Sequence, residues 1–224
     1  MSVRSGQAWL LAAPEARAIR WRALLPIAPI SFLIVYAGMH DPGPTKGWHM
    51  PFAGIALAVW AGFLFDDAAS STVQSAPTPL LLRRGVRVLL AVPVLALAWT
   101  GLLWYADVWH LAGTLTAGFV AQVSVALGFG ALGGVVVGRD RGGLLAVAGL
   151  VAVFVAVPLV MRGGILWSDP FHTGWTYHYG RWIATSAVAL GLLLLASRDP
   201  AARGVRAAAR ALAGRAETAD GAAR

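Results

Sequence analysis

Long apolar stretches alternate with short patches of charge along the chain. Several stretches approach twenty residues, the length that a helix needs to cross a hydrocarbon core of about 30 Å. The pattern predicts an all-α fold, a polytopic membrane helical bundle of six transmembrane helices. The predicted spans are Ala23–Met39, Phe52–Phe65, Val86–Tyr105, Leu111–Val137, Leu144–Met161 and Trp182–Ala196.

The basic residues predict the orientation of these spans. With the N-terminus in the cytoplasm, fifteen of the 18 Lys and Arg residues fall in cytoplasmic segments. Only Lys46, Arg162 and Arg181 fall outside. Since loops rich in Lys and Arg stay on the cytoplasmic side, we expect both termini in the cytoplasm of a multi-pass protein of the cell's inner (plasma) membrane.

The two ends of the chain differ from the segment between them. Residues 1–22 predict a cytoplasmic interfacial helix whose arginines meet lipid headgroups, and residues 23–197 form the six-span domain. Residues 198–224 form a basic cytoplasmic tail. The arginines near the first span are Arg17, Arg20 and Arg22.

Composition supports membrane insertion. Apolar residues make up 58% of the chain and charged residues 12%, about half the share that is usual in soluble domains. The net charge of +8 could indicate nucleic-acid binding, but loop arginines that set topology account for it, so no nucleic-acid partner is expected. The absence of cysteine excludes disulfides, thiolate metal sites and cysteine nucleophiles.

The fourth span carries the most unusual residues. Gln122 lies near its middle, and an amide is costly against lipid, so it should face protein or a water-filled path. This makes Gln122 a candidate for a transport pathway. Gly130, Gly134 and Gly138 repeat at intervals of four, a spacing that lets another helix approach closely.

The cytoplasmic loop 66–85 has chemistry of its own. It joins an acidic pair, small polar residues that suit the start of a short helix, two prolines and a pair of arginines. Such a helix under the membrane would dock a cytoplasmic partner. In the alternative interpretation, the arginines only obey topology and pair with the aspartates. The candidate coupling residues are Asp66, Asp67, Ser70, Thr72, Arg83 and Arg84.

The outer segment 162–181 reads RGGILWSDPFHTGWTYHYGR. It is too short and polar for a span but too aromatic for a free loop. Trp and Tyr prefer the level of the headgroups, so the segment predicts a re-entrant or interfacial hairpin.

Three of these features together resemble the permease subunits of type-2 ATP-binding-cassette exporters. Such permeases have an N-terminal amphipathic helix, a coupling helix between spans two and three, and a half-membrane hairpin between spans five and six. The segments Gln7–Arg22, Asp66–Arg87 and Arg162–Arg181 fall at those places. The stretch FDDAASSTVQSAPTPLLLRR also resembles a loop of small actinobacterial membrane proteins associated with ATPase subunits.

The resemblance implies a half-transporter that pairs with a second copy or a second permease subunit. No GxxxxGK[ST] phosphate loop occurs in the chain, so ATP would bind to a separate cytoplasmic ATPase subunit, and no cofactor is expected on this chain. No catalytic motif is present either, which leaves enzymatic activity undecided.

The histidines support a competing hypothesis. All five fall on the predicted outer side, and two of them follow an aspartate as Asp-x-aromatic-His. Imidazole with carboxylate suits zinc or copper, in metal transport or a membrane metalloenzyme. These side chains could equally be ordinary interfacial loop residues, and an inert accessory subunit is a third reading. The candidate ligands are His40, His49, Asp107, His110, Asp169, His172 and His178.

Overall fold

The computed structural model describes residues 12–40, 49–66, 80–137, 141–156 and 175–197. For residues 156 and 175–179 it describes the backbone alone. Within these ranges the ordered elements are helices, which confirms the all-α prediction. The helices are α1 (12–18), α2 (Leu24–Met39), α3 (Met50–Gly62), α4 (Leu80–Tyr105), α5 (Ala112–Val136), α6 (Gly142–Val151) and α7 (Trp175–Ala196).

Short non-α turns extend several of these helices. The 3₁₀ turns Trp21–Ala23 and Trp109–Leu111 lead into α2 and α5, and Phe63–Phe65 continues α3. A π-helical turn, Ala152–Ala156, follows α6. Each of these turns lengthens the apolar helical segment that it adjoins.

Three helical segments are long and apolar enough to cross a membrane: Trp21–Met39, Leu80–Tyr105 and Trp109–Val136. Three shorter apolar helices accompany them, at Met50–Phe65, Gly142–Val155 and Gly180–Ala196. The described part of the chain is therefore a set of membrane-compatible helices, consistent with a membrane protein.

Two helices begin six or seven residues earlier than the hydropathy pattern predicts. α4 starts at Leu80 instead of Val86, and α7 starts at Trp175 instead of Trp182, within the segment predicted as an outer hairpin. The reason in α4 is that Arg83, Arg84 and Arg87 all have partners inside the protein, so charge does not end the helix there. Residues 157–174, which hold most of the predicted hairpin, lie outside the described ranges.

Consecutive helices run in opposite directions. At one end of the bundle, the ring of Trp60 near the end of α3 packs against Trp21, in the turn that leads into α2, with centroids 5.5 Å apart. At the other end, His49 before α3 packs against Gly38 near the end of α2. Corresponding contacts place α3, α5 and α7 parallel to one another, and α2, α4 and α6 antiparallel to them.

α5 forms the centre of the bundle. In the most apolar stretch of α5, 61% of the residues are buried, whereas the corresponding share for α2, at the periphery, is 11%. Three glycines on three faces of α5 allow this: a Cβ on Gly128 would lie 2.5 Å from the Ala189 carbonyl oxygen of α7, and one on Gly130 would lie 2.7 Å from that of Gly62 in α3. A Cβ on Gly133 would meet α6. The predicted packing role of Gly130 is thus confirmed, whereas Gly138 lies outside the described ranges.

An aromatic contact joins α4 to α5. The Trp99 and Phe119 rings stack with centroids 4.4 Å apart, and Trp99 Nε1 donates a hydrogen bond to Thr116 Oγ1 at 3.0 Å. Trp99 is buried. A buried indole needs such a partner for its N–H, so Thr116 satisfies the polar group while the ring contributes apolar area.

Candidate functional site

One end of the bundle holds a cluster of buried charged side chains. Glu15, on α1, is 3% exposed and lies against the first turns of α4. Arg83 donates from Nε to Glu15 Oε1 at 2.6 Å, and Arg87 donates from Nε to Oε2. Arg87 also donates to the carbonyl oxygen of Leu64 at 3.3 Å. A single carboxylate therefore joins α1 to two arginines one helical turn apart.

Asp66 directly follows the last turn of α3 and is also buried. Its Oδ1 accepts a hydrogen bond at 2.8 Å from the backbone N–H of Gly143, in the first turn of α6, and Oδ2 lies 3.9 Å from Nη1 of Arg20. The first N–H groups of a helix lack partners within the helix and carry partial positive charge. Asp66 therefore caps α6 from a different helix.

Arg84 connects three further elements. Nη1 donates to the Ala196 carbonyl oxygen at 3.0 Å and to Ser197 Oγ at 3.1 Å, at the end of α7. Nη2 donates to the Ala131 carbonyl oxygen of α5 at 3.4 Å, and the guanidinium lies 5.2 Å from the centroid of the Phe65 ring. A cation at the carbonyl end of a helix satisfies unpaired acceptors and complements the helix dipole.

These contacts share one geometric property, which defines the charged cluster as Glu15, Asp66, Arg83, Arg84 and Arg87. Asp66 stands immediately before residues 67–79, and the three arginines stand just after them. Both ends of that segment are thus fixed by buried polar contacts to α1, α6 and α7.

The predicted coupling residues divide into two groups. Asp66 and Arg84 are buried and Arg83 has a side chain only 16% exposed, so all three serve contacts within the chain. Asp67, Ser70 and Thr72 lie outside the described ranges. The alternative interpretation paired the aspartates of loop 66–85 with the arginines of the same loop; Asp66 lies 3.9 Å from Arg20, which stands outside that loop.

Sequence reasoning missed Glu15. The signal that could have found it is its isolation: it is one of two glutamates in the chain and stands within an arginine-rich segment. A lone carboxylate there has no role in setting topology, since acidic residues contribute little to orientation. A structural partner among the arginines was the remaining explanation.

Gln122 lies between α3 and α5 and is 2% exposed. Its Nε2 donates to the carbonyl oxygen of Pro51 at 3.1 Å, whereas Oε1 is a buried acceptor without a hydrogen-bond partner among the described residues. A Cβ on Gly54 would lie 2.3 Å from Oε1, so the amide fits only because residue 54 is glycine. Gln122 therefore faces protein, as its cost in lipid predicts, and joins two helices there.

The described histidines differ in their surroundings. His40 pairs its Nδ1 with the Tyr36 carbonyl oxygen, His49 is buried against Gly38, and His110 is exposed. Among the described residues, no three His, Asp or Glu side chains are grouped as a metal site would require. Asp107, with φ of 54°, ends the turn after α4.

The remaining candidate ligands are Asp169, His172 and His178. Asp169 and His172 lie outside the described ranges, and the side chain of His178 is likewise undescribed. The copper or zinc site therefore stays a prediction, to be tested by metal analysis of the protein purified from its native membrane.

Comparison with protein-family models, with curated proteins and with solved structures finds no match to this chain. The fold and the charged cluster define an all-helical protein with membrane-compatible helices, and its function has to be argued from those features.

Proposed function

We propose that this chain is the permease subunit of an ATP-driven transporter, crossing the plasma membrane six times with both termini in the cytoplasm. Two features support this topology. The apolar helices alternate in direction, and the end that collects Arg20, Arg83, Arg84 and Arg87 is the end that the distribution of basic residues assigns to the cytoplasm.

Helix length fits this topology unevenly. α7 has 22 residues, of which Gly180–Ala196 is apolar and about 26 Å long at 1.5 Å per residue. α3 with its 3₁₀ turn, Met50–Phe65, reaches about 24 Å by the same measure. A span that is short by a few ångströms is accommodated by local thinning of the bilayer or by flanking interfacial residues.

The observation that carries the proposal is the attachment of both ends of segment 67–79. In a transporter driven by a separate ATPase, a cytoplasmic segment has to receive a displacement and pass it to the membrane helices. Asp66, at one end of that segment, is hydrogen-bonded to α6, and Arg84, after its other end, is hydrogen-bonded to α7 and α5. Glu15 leads to α1, which precedes α2 in the chain.

Burial determines how the cluster takes part. Asp66 and Arg84 transmit displacement within the chain, and residues 67–79 between them contact the partner. The partner is a cytoplasmic ATPase subunit, since the chain has no phosphate loop of its own. A second copy or a second permease subunit completes the transport unit.

Site-specific photo-crosslinking in the native membrane tests this proposal. A photoreactive residue at Ser75 should crosslink to a protein with a phosphate-loop ATPase domain, which co-purifies in mild detergent and is identified by mass spectrometry. Ser168, on the predicted outer side, is the matched control and should give no such crosslink. Absence of any co-purifying ATPase, or equal crosslinking from Ser168, would reject the proposal.

A further inference from the structure

The arginines at the charged end of the bundle form two groups. In α4, Arg84 and Arg87 are buried and Arg83 is partly buried, and all three are hydrogen-bonded within the chain. Those at the corner between α1 and α2 are exposed: Arg17, Arg20 and Arg22. Among the described carboxylates, one lies near this group: Asp66 is 3.9 Å from Arg20, whose side chain is 44% exposed.

Arg17 and Arg22 have no ion-pair partner among the described residues. The two described carboxylates at this corner already have partners. Glu15 is hydrogen-bonded to two arginines of α4. Asp66 accepts a hydrogen bond from the Gly143 N–H and lies near Arg20. The described residues therefore leave positive charge uncompensated at this corner, where the chain bends at Ile19 between α1 and α2.

An exposed apolar surface begins directly below this charge. Leu25, one turn beyond Arg22, is 72% exposed, and Leu33 on the same face of α2 is 64% exposed. The surface is long enough for an acyl chain, and the guanidinium groups stand at its end. The positive charge of the arginines matches an anionic headgroup, and the exposed apolar face of α2 beside it matches an acyl chain. Together they fit an anionic amphiphile.

We infer that the α1–α2 corner, formed by Arg17, Arg20, Arg22 and Leu25, is a binding site for an anionic phospholipid. The arginines bind the headgroup phosphate, and an acyl chain lies along the exposed face of α2. Guanidinium groups suit this role because they bind phosphate oxygens in pairs and are weakly hydrated.

A second copy of this chain is a poorer occupant of the same surface. Two copies inserted in one membrane share an orientation, so the arginines of one α2 would meet those of the other at the same depth. Like charges that face each other across an interface oppose association. An anionic lipid brings the opposite charge to that level.

The experiment uses the full chain purified in a neutral detergent, with dioleoylphosphatidylglycerol as the probe and dioleoylphosphatidylcholine as the zwitterionic reference. Phosphatidylglycerol should raise the thermal unfolding midpoint, and phosphatidylcholine should raise it less. In Arg17→Gln/Arg22→Gln, the phosphatidylglycerol concentration for half of the maximal shift should rise at least about tenfold, since each arginine near an anionic surface contributes roughly a fivefold factor.

The matched control is Arg141→Gln/Arg181→Gln, which removes the same charge elsewhere and should keep the wild-type lipid response. Because the side chains of Arg17 and Arg22 form no hydrogen bond or ion pair with the described residues, their replacement should leave the midpoint without lipid unchanged. An equal loss of response in the control would reject the site in favour of a general charge effect. An equal shift with inorganic phosphate would reject the lipid as the ligand.

This inference depends on membrane insertion and not on an ATPase. Loss of the lipid response with the Ser75 crosslink intact would remove the lipid site alone. Failure of the crosslink with the lipid response intact would remove the transporter proposal alone.

Discussion

Glu15 and Arg87 are 72 residues apart in the chain and share a hydrogen bond between Oε2 and Nε in the buried charged cluster. α1 has seven residues, 12–18, and a helix of that length is unstable alone in water. Its position therefore depends on tertiary contacts, of which Glu15 with Arg83 and Arg87 is the charged one.

Replacing Glu15 with Gln should lower the free energy of unfolding by about 3–5 kcal/mol, because it leaves buried arginines without their counter-charge. Unfolding in mixed micelles, followed by tryptophan fluorescence, measures this change. Glu217→Gln, in the C-terminal tail, is the control and should have no effect. The double variant Glu15→Gln/Arg87→Gln should lose less than the sum of the two single variants, and additivity of the losses would contradict the pairing.

Replacing Gly130 with Ala should push α5 away from α3, because the new Cβ would lie 2.7 Å from the backbone oxygen of Gly62. Overpacking of this kind costs about 1–3 kcal/mol. Gly191→Ala is the matched control, since nothing lies within 4 Å of its Cβ position. That variant should be neutral or gain up to about 1 kcal/mol from helix propensity. Equal effects of the two substitutions on the free energy of unfolding would contradict the packing described for α5.

Replacing Gly54 with Ala should displace the Gln122 amide from Pro51, since the Cβ would lie 2.3 Å from Oε1. The loss of that hydrogen bond in a buried position should cost about 1–3 kcal/mol. Gln122→Ala removes the amide that clashes with the new Cβ. It should therefore lower the free energy of unfolding less in the Gly54→Ala background than in the wild type. If Gln122→Ala costs the same in both backgrounds, the two residues do not interact as described.

Asp66→Ala and Asp67→Ala test two properties, the free energy of unfolding and the coupling of ATP hydrolysis to transport. Asp66→Ala removes the acceptor of the Gly143 N–H and should cost about 1.5–3 kcal/mol of stability, as for other hydrogen bonds to charged groups. Under the proposed function, either substitution should also reduce the dependence of ATP hydrolysis on transport substrate in the reconstituted complex. Full coupling in both variants would exclude the two aspartates from that role.

Single cysteines test the six-span topology, because the natural chain has none to compete. With a thiol reagent that cannot cross the membrane, cysteines at Thr45 and Ser168 should react in intact cells. Cysteines at Ser5, Ser75 and Thr218 should react only after permeabilisation. Labelling of Ser75 from outside would overturn the orientation, and Ser5 and Thr218 on opposite sides would require an odd number of spans.

The sequence predicted the helices better than it predicted their charged contacts. Apolar stretches of the right length identified α2, α3 and α5 nearly to their ends, because insertion in lipid leaves helices as the practical way to satisfy the backbone. The interior position of Gln122 also followed from its cost in lipid. These are one-dimensional signals, readable from the residues themselves.

The charged cluster could not be predicted in the same way. Asp66 and the Gly143 N–H are 77 residues apart, and nothing in either segment indicates the other. Hydropathy alone placed Arg83 and Arg84 in a loop, but partners on α1, α5 and α7 allow both to lie within α4. Knowledge of those partners requires the packing of helices that are distant in sequence.

The pairing of Glu15 with Arg83 also constrains how the protein is made. Glu15 leaves the ribosome 68 residues before its partner, a delay of roughly 3–14 seconds at ordinary rates of synthesis. Under the proposed topology, α2 and α3 enter the membrane as a hairpin during that interval, while α1 stays on the cytoplasmic side. Closure of the ion pair then requires that both α2 and α3 have inserted, because insertion of only one of them would leave Glu15 and Arg83 on different sides of the bilayer.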